Sequence, residues 1–204
     1  MITGVIVSYN QKDLLKQCVE SIRSIYPEMP LVIIDGSQRK SPCYEYAKTL
    51  NDVHTIAKCV EYNIGHGNGM KLGIGISKTR FVALIDSDTI LKAPVLESMI
   101  SMFEKNTFGV GRVIKVNDAG INNDDGLDYL HPYFCVIDKN AYLTHDPIIH
   151  HGAPFIVTMK SIKQKGRYHL KNFDLEGRVL HLERGTRALN PKEFHPKLWA
   201  KVPE

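Results

Sequence analysis

The 204-residue chain has only four cysteines, and no two of them form a CxxC pair. Cys18, Cys43, Cys59 and Cys135 stand far apart, which excludes a zinc cage. Cys18 and Cys59 read as small buried hydrophobes in a reducing compartment. Nowhere do 18 apolar residues run together, so no membrane span is expected. The opening MITGVIVSYN has no basic segment before its apolar run and does not read as a signal peptide, which makes the cytoplasm the expected location. Strong charge of one sign is missing too. Lys and Arg number 26 against 22 Asp and Glu, leaving +4. That balance suits an anionic small molecule and is too slight to indicate nucleic acid. Repeats and low-complexity tracts are absent. What is there, 43% hydrophobic and 24% charged residues, is the make-up of one globular domain with a sizeable core.

The apolar pattern alternates between two periods. Runs over 2–8, 31–34, 53–60 and 80–85 read as strands. Between them, 11–26 carries apolar residues at positions 14, 15, 18, 19, 22 and 25, a helical spacing. Helices are also expected over 42–50 and 70–78, the latter preceded by a glycine-rich loop over 63–69. This order predicts an α/β fold with a mostly parallel, Rossmann-like sheet flanked by helices. The strand ends Tyr9-Asn10, Asp35, Asn63 and Asp86 would then meet at the carboxyl edge, where open α/β sheets bind ligands.

A helix over 94–105 and a strand over 108–116 follow. Residues 117–128, NDAGINNDDGLD, lack Lys and Arg and read as a loop, either a solvated excursion or a lid. A strand over 133–138 and a helix over 154–165 stopped by Gly166 come next. Two short strands over 168–173 and 178–182 form a small C-terminal appendage, as a hairpin or as two edge strands. Beyond Glu183 the tail is basic, a surface wrap that could touch an anionic membrane.

The densest information lies in RFVALIDSDTIL, residues 80–91. The apolar run ends in Asp86 and Asp88, which in an extended segment share one side of the backbone. Like charges there resist burial, and a hard cation such as Mg2+ or Mn2+ would neutralise them and share its oxygen ligands with a phosphate. The alternative is that Asp88 and Thr89 simply cap the helix that follows.

Four motifs occur in order: VIVSYN at 5–10, LVIIDGS at 31–37, NIGHGNG at 63–69 and LIDSD at 84–88. Together they resemble the glycosyltransferase family 2 proteins of the GT-A fold, over roughly residues 1–105. The resemblance implies a metal-dependent, inverting transfer of a sugar from a nucleotide-diphosphate sugar, UDP-linked, to a glycan or lipid-linked acceptor. It implies that 1–105 is the nucleotide-sugar-binding half and 106–204 the acceptor- and metal-completing half of one domain. Donor contacts are implied for Ser8, Tyr9, Asn10, Asp35, Asn63, Gly65, His66, Gly67, Lys71, Asp86, Ser87 and Arg184. Tyr9 would pack beside the base and Asp35 would accept a hydrogen bond from uracil, although the family often has two acids in that turn and here the first is Ile34. Mn2+ or Mg2+ would be held by Asp86, Asp88 and, late in the chain, His181.

The chain departs from the family where an acidic pair normally supplies the general base. THDPIIHHGAPF, residues 144–155, offers Asp146 and His151 instead. Two other readings stay open. A sugar-phosphate nucleotidyltransferase shares the sheet but would have a glycine-rich loop after the first strand, where this chain has SYNQKD. A sugar-nucleotide-binding domain without catalysis would keep the fold and lose the base.

Overall fold

The computed structural model describes residues 1–149 and 152–182. Its centre is a seven-stranded sheet in the order β3-β2-β1-β4-β7-β6-β8. The strands are β1 Ile2–Ser8, β2 Leu31–Asp35, β3 Thr55–Cys59, β4 Phe81–Asp86, β6 Thr107–Val116, β7 Leu127–Asp138 and β8 His169–Asn172. β1 to β4 pair in parallel, β7 runs antiparallel to both β4 and β6, and β8 is parallel to β6. A second ribbon joins β5 Thr89–Leu91 to β9 Val179–His181. The two late strands are therefore not a hairpin with each other, since each closes a different sheet.

The sheet is apolar on both faces because helices cover both. Ile2, Ile6, Leu31, Ile33, Ala83, Ile85, Phe134 and Val136 face one side and pack on α1 (Lys12–Ile25), α2 (Pro42–Thr49) and α4 (Leu96–Ser101). Val5, Val32, Ile34, Val82, Leu84, Cys135 and Ile137 face the other, with α3 (His66–Ile76), α5 (Lys139–Tyr142) and α6 (Ile156–Lys165). Adjacent residues point to opposite faces, so each strand supplies both layers. α1 buries Leu15, Cys18, Val19 and Ile22, one stripe at helical spacing. Each such aliphatic side chain contributes about 1.5–3 kcal/mol of burial.

Three elements differ from expectation in ways that bear on the site. α3 starts at His66, inside the segment expected to be a glycine-rich loop. A Cβ on Gly69 would lie 2.6 Å from Val7 Cγ1, and one on Gly73 would collide with Val5. These glycines let α3 settle closely on β1, which is a packing reason for their presence. Asp88 caps no helix: β5 follows it directly, and α4 begins only at Leu96. β7 begins at Leu127, six residues before the expected strand. Pro132 has no N–H to give the ladder, and the β6–β7 register slips there, so that Gly111 faces Cys135 while Val113 faces Leu130. The proline that interrupts the strand pattern in the sequence marks a bulge within a longer strand. No helix among the described residues is long and apolar enough to cross a membrane.

Candidate active site at the carboxyl edge of the sheet

The last residues of β1, β2 and β4 open onto a cleft of about 1140 Å³, which the β7 bulge and the segment after β8 wall from the other side. At its floor, one ligand atom each from Asp86, Asp88 and His181 lie within 4.8 Å of one another. His181 Nε2 is 3.3 Å from Asp88 Oδ1 and 3.7 Å from Asp86 Oδ2.

The turn between β4 and β5 that carries the two carboxylates is pinned from three sides. The Cys18 thiol of α1 donates to the Asp86 carbonyl at 3.6 Å, and the Ser21 hydroxyl accepts from Leu91 N at 3.0 Å. Burial, with Asp86 and Asp88 adding to it, pushes the Cys18 thiol up, so it remains a protonated donor. Thr89 Oγ1 donates to the Tyr133 carbonyl at 3.1 Å. Leu182 N donates to the Asp88 carbonyl at 2.9 Å, which sets β9, and with it His181, beside the acids. The His181 ring lies on Tyr133, with centroids 4.7 Å apart and planes 19° apart.

Asp86 is ringed by imidazoles. His66 Nε2 is 3.0 Å from its Oδ1, and His131 lies edge-on to His181 at 6.2 Å. Burial pushes the Asp86 carboxyl up, but His66, His181 and His131 outweigh it and hold the group below the ordinary carboxylate range. Two oxygens and one nitrogen on a rigid floor, with both acids largely withdrawn from solvent, form a donor set that fits a divalent cation such as Mn2+ or Mg2+.

Several residues expected from the sequence come together at the cleft. Tyr9, Asn63, Gly65, His66, Asp86, Ser87, Asp88 and His181 all line it. Ser8 reaches its edge, but the hydroxyl is buried 3.2 Å from Cys43 Sγ. Asn10 takes a left-handed backbone, φ 53°, and its N–H donates to Ser37 Oγ at 2.8 Å, so it shapes the loop behind Tyr9.

Others do not come together. Asp35 is fully buried and turned to the α1–α2 face, where it accepts from Ser37 N at 3.2 Å, Ser37 Oγ at 2.8 Å and Cys43 Sγ at 3.3 Å. Its neighbour Ile34 lines the cleft in its place. Gly67 is buried within α3 and Lys71 is exposed on that helix, and neither lines the cleft. Asp146 is also exposed and absent from the cleft, with its backbone tied to Thr158 and Ser161 of α6. His151 and Arg184 lie outside the described residues, although Gly152, Ala153 and Pro154, next to His151, line the cleft.

The sequence reading missed Arg112, Tyr129 and His131, which also line the cleft. The signal was the alternation Tyr129, His131, Tyr133, which Pro132 interrupts, ahead of the strand expected over 133–138.

The family model "Glycosyl transferase family 2" matches residues 3–164. An uncharacterised glycosyltransferase of Haemophilus influenzae is 26% identical over 110 residues, covering 52% of this chain and 33% of that protein. Poly-beta-1,6-N-acetyl-D-glucosamine synthase of Staphylococcus epidermidis is 29% identical over 109 residues, covering 52% of this chain and 26% of the synthase. The chain thus spans about a third or less of these two relatives. Among solved structures, a mannosyltransferase from Pyrobaculum calidifontis in complex with GDP-Man and Mn2+ superposes with a TM-score of 0.67 at 14% identity, over 92% of this chain and 59% of that one. S. aureus TarS 1–349 in complex with UDP-GlcNAc gives 0.62 at 14% identity, over 87% of this chain and 57% of that one. These likenesses show that the fold is of the GT-A type.

Proposed function

Because this chain belongs to glycosyl transferase family 2, we propose that it transfers a glycosyl group from a nucleotide-diphosphate sugar to a glycan or lipid-linked acceptor, with inversion, at the cleft described above. The observation that carries the reading is the convergence of Asp86, Asp88 and His181 within 4.8 Å at the cleft floor. Asp86 and Asp88 would hold Mn2+ or Mg2+ with the His181 imidazole. The cation, when bound, supplies the positive charge that stabilises a departing nucleotide diphosphate.

The chain's own residues do the rest. Tyr9 walls the side of the cleft nearest β1 and β2, where it would offer a ring face to a base, with the buried Ile34 behind it. Gly65, with φ 80°, presents backbone at the start of α3 close to where a diphosphate would lie. Arg112, beside the Tyr133 hydroxyl, stands where it can meet an acceptor or the donor sugar. With Asp146 outside the cleft, the proton of the acceptor hydroxyl falls to His151, whose neighbours 152–154 line the cleft. In this reading residues 1–105 hold the donor, while those from 106 onward complete the cation site and the acceptor side. Uridine-linked donors remain the expected class. The inward turn of Asp35 means that the base would be held by stacking and apolar contact and not by that carboxylate.

The test is release of nucleotide from UDP- and GDP-sugars with and without Mn2+. Wild-type protein should release nucleotide only with Mn2+, and Asp88→Ala should lower that release by about 10²–10³-fold while keeping the wild-type melting temperature. Equal release by the variant would remove the cation site from the mechanism. Binding of a sugar nucleotide without any release would make the protein a binder.

A further inference from the structure

We infer that His66 is a positioning residue for the cation site: it holds one oxygen of Asp86 so that the other stays turned toward His181 and Asp88. The inference rests on the reading of Asp86, Asp88 and His181 as cation ligands.

The geometry separates the two oxygens of Asp86. Oδ1 lies 3.0 Å from His66 Nε2, whereas Oδ2 is the oxygen nearer His181 Nε2, at 3.7 Å. His66 itself stands outside the group of three ligand atoms. The terminal torsion of an aspartate is broad, so the carboxylate plane is set by what it is bonded to more than by any rotamer preference. On the floor of the cleft the His66 imidazole stands against Oδ1 at 3.0 Å, and with that oxygen held, Oδ2 is the one left facing His181. A side chain set against the non-ligating oxygen of a ligating carboxylate is the kind of neighbour whose loss costs metal affinity without removing a ligand.

The fold delivers His66 to this place by a route independent of the acids. Gly65 adopts φ 80°, which turns the chain so that α3 begins at His66. Gly69, on the same helix, packs on Val7 of β1, and Val7 is the register partner of Asp86 on β4. The close helix–strand approach that the glycines allow therefore fixes the height at which the imidazole meets the end of β4. A bulkier residue at position 69 would lift the helix start and open the 3.0 Å contact.

Mn2+ titrated into the full chain and followed by electron paramagnetic resonance tests the inference without any turnover. His66→Ala should weaken Mn2+ binding by about 10–100-fold. His66→Gln, whose amide can stand against the same oxygen, should stay within about threefold of wild type. The idea is overturned if His66→Ala binds as tightly as wild type. It is equally overturned if the glutamine and alanine variants are weakened alike, because the imidazole would then only pack the start of α3. If the alanine variant does not fold, the glutamine variant decides alone: near-wild-type binding upholds the inference and a tenfold loss refutes it. Asp88→Ala in the same titration keeps the two readings apart. No Mn2+ binding by the wild type, or full binding by Asp88→Ala, would be a failure of the cation site and not of His66.

Discussion

The ends of β2 and β4 look alike in the sequence, IIDG and LIDS, and do opposite things in the structure. Each strand ends in an aspartate at the same edge of the sheet. Asp86 shares its face with Val82 and Leu84 and opens onto the cleft. Asp35 shares its face with Leu31 and Ile33 and turns between α1 and α2, where Ser37 and Cys43 bond it. The register makes the difference plain, because Val7 of β1 stands beside Ile34 on one side and Asp86 on the other. Val7, Ile34 and Asp86 are neighbours on the cleft face, while Ser8 and Asp35 are neighbours one residue on, facing away. A phase difference of one residue turns a cleft-facing acid into a buried one.

The contrast can be broken most sharply by removing the acids in turn. Asp88→Ala, with its expected loss of 10²–10³-fold in nucleotide release, should leave stability nearly untouched. Asp35→Ala should do the reverse, since it strands the buried donors of Ser37 and Cys43. The expected cost is about 1–3 kcal/mol, read as a fall of several degrees in melting temperature, with Mn2+ affinity preserved. An Asp35→Ala protein with wild-type stability and lost donor binding would return Asp35 to the cleft.

A smaller effect is expected from restoring an acid to the cleft face. Ile34→Asp places a carboxylate at the buried end of β2 that borders the cleft, where a uracil entering the cleft would give it a hydrogen bond from its N–H. The preference for UDP- over GDP-sugars should rise by about tenfold, the worth of one hydrogen bond to a charged group. An unchanged ratio of dissociation constants would mean that the base lies elsewhere.

The smallest effect is one of pH. Burial pushes the Asp35 carboxyl above its ordinary value, although Ser37, Cys43 and Ser8 oppose the shift. The folded state therefore keeps its proton at a pH where the unfolded chain has lost it. Stability from this group is full below the unfolded value of about 4 and declines as pH rises through the folded value. Asp35→Asn should flatten the stability–pH curve just above pH ~4, measured by denaturant midpoints. A curve parallel to wild type would show that Asp35 ionises as freely in the fold as outside it.

Much of this arrangement was legible beforehand. The alternation of strand and helix through Ile85 holds, with the boundaries of β1 as expected. Tyr9, Asn63 and the Asp86–Asp88 pair reach the cleft because the parallel order of β1 to β4 leaves them no other edge. Three features were not legible. The resemblance implied a donor contact for Gly67 of NIGHGNG, but Gly67 is buried within α3 and Gly69 serves the contact of α3 with β1. The strand expected over 133–138 left out 127–132, the part of β7 that brings His131 to the cleft. Asp146, chosen for its place in the chain order, lies outside the cleft because its backbone is bound to α6.

The amino-acid order alone determined the layered α/β plan, the sheet edge that carries polar residues and the spacing that puts two carboxylates on one turn. It could not determine which face each strand-end residue takes. In a sheet covered on both sides, both faces are apolar, and the alternation that reveals orientation in a half-buried strand disappears. Only the packed structure, through the register of β1 with β2 and β4 and the seating of α3, decided that Asp86 and His66 meet at the cleft and that Asp35 does not.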